Sequence, residues 1–340
     1  MCEACRRIDK LLTVKKDVDW VLNQMGIVEK ADTNDPFDLA NLLQYELDFA
    51  NQLKENAKGH HEEAVARLYD LIEETNLDRL RQSRSALQDF QQQLALISKE
   101  LGVEVTEDNI PVIREWVEDI YKKTKRRLAD DLAVTSSLNI SDRGAIGHLE
   151  RFQNFWLQNH YADDLAEEAQ EIVVEHGLQS GLGRDELTDI LQNKLGSKFK
   201  EYHYWDTVAS TWLNNSRTYS SLNTMSQAGV SEYVYSAVLD ERTTVICRQL
   251  NGMRFSVNNG LDLWRQVGEL ENPKEMMDIN PMVNTNTDSE GNVQNYYYKK
   301  SDGSQVTIQP DQVTRSNMRN KGIIFPPVHF RCRSWIDAVI

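Results

Sequence analysis

The sequence lacks the features that would place this chain in a membrane or export it from a cell. No uninterrupted apolar run approaches the ~18 residues that a membrane-spanning helix needs, so we expect no membrane association. The first residues, Met1 to Arg7, contain no apolar stretch of the kind found in a secretory signal. Only 4 of the 340 residues are cysteine, and we expect their thiols to be reduced in a bacterial-type cytosol.

Common catalytic motifs are also missing. The sequence has no glycine-rich phosphate loop, no nucleophile elbow and no His-Glu-x-x-His helix. We therefore expect a protein that is not an enzyme.

The chain has fewer basic than acidic residues, and the excess of acidic residues is confined to one part of the sequence. The chain has 53 acidic and 38 basic residues, a net charge of −15. Residues 237–340 contain 12 of each kind and are neutral, so residues 1–236 carry the whole excess. A surface of this charge repels duplex DNA. We expect no broad nucleic-acid binding by the amino-terminal part.

The region from about Phe37 to Ala133 has an almost continuous helical pattern. In one part of it, apolar residues recur at steps of three and four, which places them on one face of a helix. These residues are Leu87, Phe90, Leu94, Ile97 and Leu101. Gly102 is predicted to end this helix, and a second helix is predicted to begin near Asn109 and Pro111. Helices this long with polar outer faces suit an extended bundle that packs against partners.

Turn-forming residues suggest how the chain divides. The stretch from Thr135 to Asp142 is polar, so we place a boundary there, with an extended helical region at 1–139. A second part, 140–340, is predicted to be helical over 140–229 and to form a small mixed β domain over 230–340. The predicted fold class is therefore α+β.

After Gly229 the sequence changes to strand-forming residues. Tyr233 to Leu239 is predicted to be a strand, with the final segment, Trp335 to Ile340, pairing beside it. A hairpin is predicted from Tyr296 to Ile308, because Asp302-Gly303 suits its turn. Between them, Asn284 to Gly291 is predicted to be a mobile polar loop.

Three of the residues near these strands offer the nitrogen and sulfur donors that zinc takes. Cys247 follows the first strand, while His329 and Cys332 are three residues apart just before the last one. A closed structural zinc site needs four ligands, and the fourth would be Asp240, a water, Cys2 or Cys5. Thr244 is not expected to be a ligand, since a neutral hydroxyl is a poor donor. The alternative is two small buried cysteines and a hydrogen-bonded histidine.

These residues belong to two short sequence pieces that resemble the signature of the Mu-F-like minor head proteins, also called phage head morphogenesis proteins. The first piece comprises Asp240, Thr243, Cys247, Leu250 and Gly252, and the second comprises Pro326, Pro327, His329, Cys332 and Arg333. Weaker similarity extends the match to about 181–340. Many members of the family carry Cys where this chain has Thr244, and Glu where it has Tyr219.

The resemblance implies a virion component of few copies that binds the phage portal protein and aids head assembly, DNA packaging or ejection. Contacts with the major capsid or scaffolding protein would accompany this role. The chain would lie in the capsid near the portal vertex, and in the host cytoplasm during assembly. Two alternatives stay open: a zinc-dependent hydrolase with Glu241 as its general base, and a cytosolic helical scaffold protein.

Four arginines surround the two pieces: Arg242, Arg248, Arg331 and Arg333. They could form a cationic surface for DNA phosphates or for a capsid partner. We favour the alternative that they pair with Asp240, Glu241 and Asp337.

Overall fold

A computed structural model describes residues 39–180, 186–187, 189–190, 193–195, 202–288 and 292–340. Contacts divide the chain into two compact units, 1–43 and 44–340. Of the first unit only residues 39–43 are described, as the first residues of a helix that continues into the second unit. Cys2 and Cys5 lie outside the described residues.

Helices make up most of the second unit, and α+β is confirmed as the fold class. Among the described residues up to 227, the helices with assigned bounds are α1 (Leu39–Glu74), α2 (Leu77–Gln82), α3 (Arg84–Leu132), α4 (Ile140–Trp156), α5 (Ala162–Ile172) and α6 (Tyr202–Gln227). Single stretches of π-helix, Leu157–Tyr161 and Val173–Gln179, precede and follow α5. None of the described helices is both long and apolar enough to cross a membrane.

The carboxy-terminal part contains two small antiparallel sheets and several short helices. The strands are β1 (Glu232–Ser236), β2 (Arg254–Ser256), β3 (Asn284–Thr287), β4 (Val293–Lys299), β5 (Gln305–Ile308) and β6 (Trp335–Ala338). The helices among them are α7 (Val245–Leu250), α8 (Val257–Val267), α9 (Met276–Ile279) and α10 (Arg315–Asn320). One sheet has the order β2-β1-β6 and the other β3-β4-β5.

The predicted end of a helix at Gly102 is wrong, because α3 continues through both Gly102 and Pro111. Apolar residues before and after these positions form one buried stripe: Leu94, Leu101, Val105, Ile113 and Val117. Glycine and proline inside a helix cost about 1 and 3 kcal/mol, but burying each such side chain contributes about 1.5–3 kcal/mol. Tertiary packing therefore outweighs the local signals.

The predicted boundary at residue 139 falls inside the compact unit 44–340, where it is a connection between α3 and α4. Asp142 and Lys125 form a fully buried ion pair across this connection. Gln227 of α6 also donates to Asp142, at 2.9 Å. Burial alone would raise the pKa of Asp142, but hydrogen bonds from the Asn139 N–H and from Lys125 hold it below its ordinary value. Most of the connection before Asp142 is exposed, and Asp142 at its end joins a buried network.

The predicted strand pairing is confirmed. β1 lies between β2 and β6, and Tyr235 is paired with Ile336 in the register of β1 and β6. The hairpin is also found as β4 and β5. The polar stretch after Asn284, however, is β3 rather than a loop over Asn284–Thr287, because its backbone pairs with β4 even though its side chains are polar and mostly exposed.

Candidate metal centre

The first motif piece is shaped by a turn between β1 and α7. The backbone N–H of Asp240 donates to the Thr243 hydroxyl oxygen at 3.0 Å, and the Arg242 N–H donates to the Asp240 carboxylate at 3.0 Å. Side chains of this kind commonly bond to nearby backbone groups in turns. The turn directs the chain into α7, where Cys247 is 2% exposed.

The second motif piece is held by α6. Asn214 donates through Nδ2 to the backbone carbonyls of Cys332, at 2.5 Å, and Ser334, at 3.3 Å. Thr218 donates to the carbonyl of Pro326 at 2.8 Å. Arg331 has a left-handed backbone (φ 57°), which lets the chain turn sharply just before Cys332. The buried polar residues of α6 therefore fix the backbone on which His329 and Cys332 lie.

These two pieces bring Cys247, His329 and Cys332 together, as the sequence predicted. The Cys247 Sγ lies 3.2 Å from the His329 Nε2 and 3.8 Å from the Cys332 Sγ. All three ligand atoms lie within 4.8 Å of one another. Both cysteines are free and buried. The chain thus contains a candidate Cys-His-Cys metal-binding triad.

The donor set and its spacing fit a tetrahedral zinc ion. With Zn–S bonds of ~2.3 Å, two sulfur ligands lie about 3.8 Å apart, and a sulfur and a nitrogen about 3.6 Å apart. The observed Sγ–Sγ distance matches the first value, at 3.8 Å. The Sγ–Nε2 distance is a few tenths of an ångström shorter than the second, at 3.2 Å.

His329 presents the correct nitrogen to the two sulfurs. Its Nδ1 lies 2.7 Å from the backbone carbonyl of Phe330, so Nδ1 carries the proton and donates it. Metal-binding histidines usually make such a hydrogen bond with the nitrogen that does not bind the metal. The Nε2 of His329 is therefore the nitrogen that faces the site.

The three groups share their protons unequally. A hydrogen bond with Cys332, together with burial, raises the pKa of the Cys247 thiol. Burial alone would raise the pKa of Cys332 too, but hydrogen bonds from Cys247 and His329 hold it well below its usual value. Burial alone would lower the pKa of His329, yet the Cys332 partner raises it above normal. A cation bound by these three groups would compete with the protons on their ligand atoms.

Asp240, predicted as a candidate fourth ligand, is not part of this triad. Its two carboxylate oxygens accept hydrogen bonds from Arg333 at 2.6 and 2.7 Å, and the pair is nearly buried. Burial would raise the pKa of Asp240, but the hydrogen bonds from Arg333 and Thr243 lower it to about 2. The carboxylate is thus committed to Arg333, and this ion pair links the two motif pieces a second time.

A small cleft lies beside the triad. It is lined by Cys247 and His329 together with Val238, Arg242, Thr243, Thr244, Arg331, Arg333 and Ser334. It offers about 20 Å³ to a water-sized molecule, which is room for a single water. The buried Thr244 hydroxyl lies in this cleft beside Cys247. Apart from Cys247 and His329, the described lining offers no thiol, imidazole or carboxylate group to a metal.

The arginines around the pieces are largely engaged within the chain, as the favoured interpretation predicts, although not all with the expected partners. Arg333 pairs with Asp240, whereas Arg331 pairs with Asp206 of α6. Arg248 donates to the backbone carbonyls of Asp240 and Thr243. Asp337 instead accepts hydrogen bonds from Ser236 at 2.6 Å and from Trp335 at 2.7 Å.

One residue of the site was missed by the sequence reasoning. Tyr235 is fully buried in β1, and its hydroxyl oxygen lies 3.3 Å from the Cys247 Sγ and 3.7 Å from the Cys332 Sγ. The alternation of the strand was the available signal, since it places Tyr233 and Tyr235 on the same inward face.

Comparisons with protein-family models, with curated proteins and with solved structures found no match.

Proposed function

We propose that this chain is a structural component of a phage head, a minor head protein, whose carboxy-terminal part is held together by a structural zinc ion. The observation that carries the proposal is the meeting of the two motif pieces at one site. Their ligand residues are 82 and 85 residues apart in sequence, yet their side chains are in contact. The pieces that carry the family resemblance thus act as one unit.

Zinc is the metal that suits these donors. Cysteine thiolates and imidazole select zinc over the hard cations, which prefer oxygen ligands. Cys247, His329 and Cys332 would hold the ion, and the water-sized cleft would supply the fourth ligand. The bound ion would supply a cross-link between α7 and the segment before β6.

The site is poorly suited to hydrolysis. A catalytic zinc needs a general base and room for a substrate beside the metal. The described lining of the cleft includes no carboxylate, and the proposed base, Glu241, is exposed and is not among the lining residues. Because its described lining includes no carboxylate, the cleft supports a structural site rather than a hydrolytic one.

The proposed partners follow from the family resemblance and the charge. We place the chain in the capsid near the portal vertex, bound to the portal protein and in contact with the major capsid or scaffolding protein. The excess of negative charge on residues 1–236 supports protein partners rather than duplex DNA for the helical part.

Quantitative mass spectrometry of phage particles from a host that encodes this chain tests the proposal. We expect purified particles to contain the chain at far fewer copies than the major capsid protein. After treatment of the particles with a chemical cross-linker, we expect cross-links between the chain and the portal protein. Particles carrying Cys332→Ser should contain less of the chain, whereas Thr244→Ala, at the same cleft, should leave its amount unchanged. Normal particles that lack the chain would contradict the proposal and would favour a cytosolic scaffold.

A further inference from the structure

The buried side of the triad is covered by a hydroxyl group that the ligand set does not use. The Tyr235 side chain approaches both sulfurs from β1, the central strand of its sheet. It is 0% exposed, and it is not among the residues that line the cleft. Ser334, which lines the cleft, hydrogen-bonds both the Tyr235 side chain and Cys247.

A phenol in this position can donate one hydrogen bond to sulfur. Thiolate sulfurs bound to a metal remain hydrogen-bond acceptors, and donors around a metal site orient its ligands and tune its affinity. The Tyr235 oxygen lies 3.3 Å from the Cys247 Sγ and 3.7 Å from the Cys332 Sγ, so its O–H is within donating distance of both sulfurs.

We propose that Tyr235 is a positioning residue of the metal centre, whose hydroxyl donates a hydrogen bond shared between Cys247 and Cys332 and orients both sulfurs towards one divalent cation. This inference rests on the zinc site of the proposed function. It adds a residue outside both motif pieces and identifies β1 as the third element of the site.

The same strand provides a matched control. Tyr233 is also fully buried, two residues earlier on the same face of β1. Its hydroxyl donates to the backbone carbonyl of Ile324 at 3.1 Å instead of to a sulfur. Tyr233→Phe and Tyr235→Phe therefore each remove one buried hydroxyl from the same strand, and only the second removes a contact with the triad.

Competition between the full chain and a chromophoric chelator for zinc tests the proposal. Tyr235→Phe is expected to weaken zinc binding by about 10–100-fold, the usual effect of removing an outer hydrogen bond at a metal site. Tyr233→Phe is expected to bind zinc as the unchanged chain does. Cobalt substituted for zinc should show a shifted sulfur-to-metal charge-transfer band in Tyr235→Phe alone, with the tetrahedral coordination kept.

Three results would overturn the proposal, and they are distinguishable. Equal zinc affinity in the two variants would reject the role of Tyr235 while leaving the zinc site in place. Loss of a ligand from the cobalt spectrum in Tyr235→Phe would make Tyr235 a ligand and not a donor. No zinc binding by the unchanged chain would reject both this inference and the zinc site.

Discussion

Removing zinc from the full chain is expected to lower its free energy of unfolding by about 4 kcal/mol. This compares the metal-free chain with the chain in the presence of free zinc at 1,000 times the zinc dissociation constant. The size agrees with a second argument. Cys247 and Cys332 are 85 residues apart, and a cross-link that closes a loop of this length stabilises a protein by about 4–5 kcal/mol in the chain-entropy picture. The melting temperature should fall on the order of 10 °C.

Two variants connect this loss to the triad. Cys332→Ser should reproduce the destabilisation, and a chelator should then have no further effect, because the two changes remove the same interaction. Thr244→Ala lies beside the same cleft and should keep the response to chelator. Thermal unfolding followed by circular dichroism, with and without chelator, makes the measurement. An unchanged melting curve for the chelated chain would leave the alternative of two buried thiols and a hydrogen-bonded histidine.

Glu46→Gln is expected to stabilise the protein above neutral pH. Glu46 lies in α1, is 7% exposed, and interacts with Asp206 and Arg217. Burial, reinforced by the charge of Asp206 and opposed by that of Arg217, raises its pKa to about 7 from the ordinary 4.5. The folded chain therefore prefers the protonated carboxyl, whereas the unfolded chain ionises it at lower pH.

The sign of the pH dependence follows from proton counting. Between about pH 4.5 and 7 the folded state binds more protons at Glu46 than the unfolded state, so stability falls as pH rises through this window and stays low above it. One unit of pKa corresponds to about 1.4 kcal/mol, so Glu46→Gln should raise the free energy of unfolding at pH 8 by up to about 3 kcal/mol. The lost attraction between Glu46 and Arg217 reduces this gain. Denaturant unfolding of the variant and of the unchanged chain at pH 5 and pH 8 measures this difference in the free energy of unfolding. Glu55→Gln, exposed on the same helix, is the control. A Glu46→Gln gain that is equal at both pH values would contradict the argument.

The local sequence predicted the strands β1 and β6 correctly, because no competing local signal interrupts either segment. The alternation of aromatic and β-branched residues predicted β1, and the pairing of the last strand beside it followed from the need to bury both. That pairing carries Cys332 to Cys247, so the triad was predictable from spacing and topology. Chain order and ligand chemistry were sufficient for these residues.

Tertiary contacts decided the features that sequence reasoning missed. Gly102 and Pro111 signal helix ends locally, but one buried stripe runs past both. From the sequence, Asp240 is a candidate metal ligand, but in the structure both of its carboxylate oxygens accept hydrogen bonds from Arg333. The polar stretch that ends at Asp142 has the composition of a linker, but Asp142 itself forms a buried ion pair with Lys125, 17 residues earlier. The partner that decides the role of Asp240 lies 93 residues away along the chain.

X-ray absorption at the zinc edge of the purified full chain tests the central claim most directly. The account predicts one zinc per chain with two sulfur ligands at about 2.3 Å and one imidazole nitrogen at about 2.0–2.1 Å, completed by a light atom. In Cys332→Ser the sulfur contribution should fall to one, or the zinc should be lost. A chain that binds no zinc, or zinc surrounded only by oxygen and nitrogen, would contradict the account.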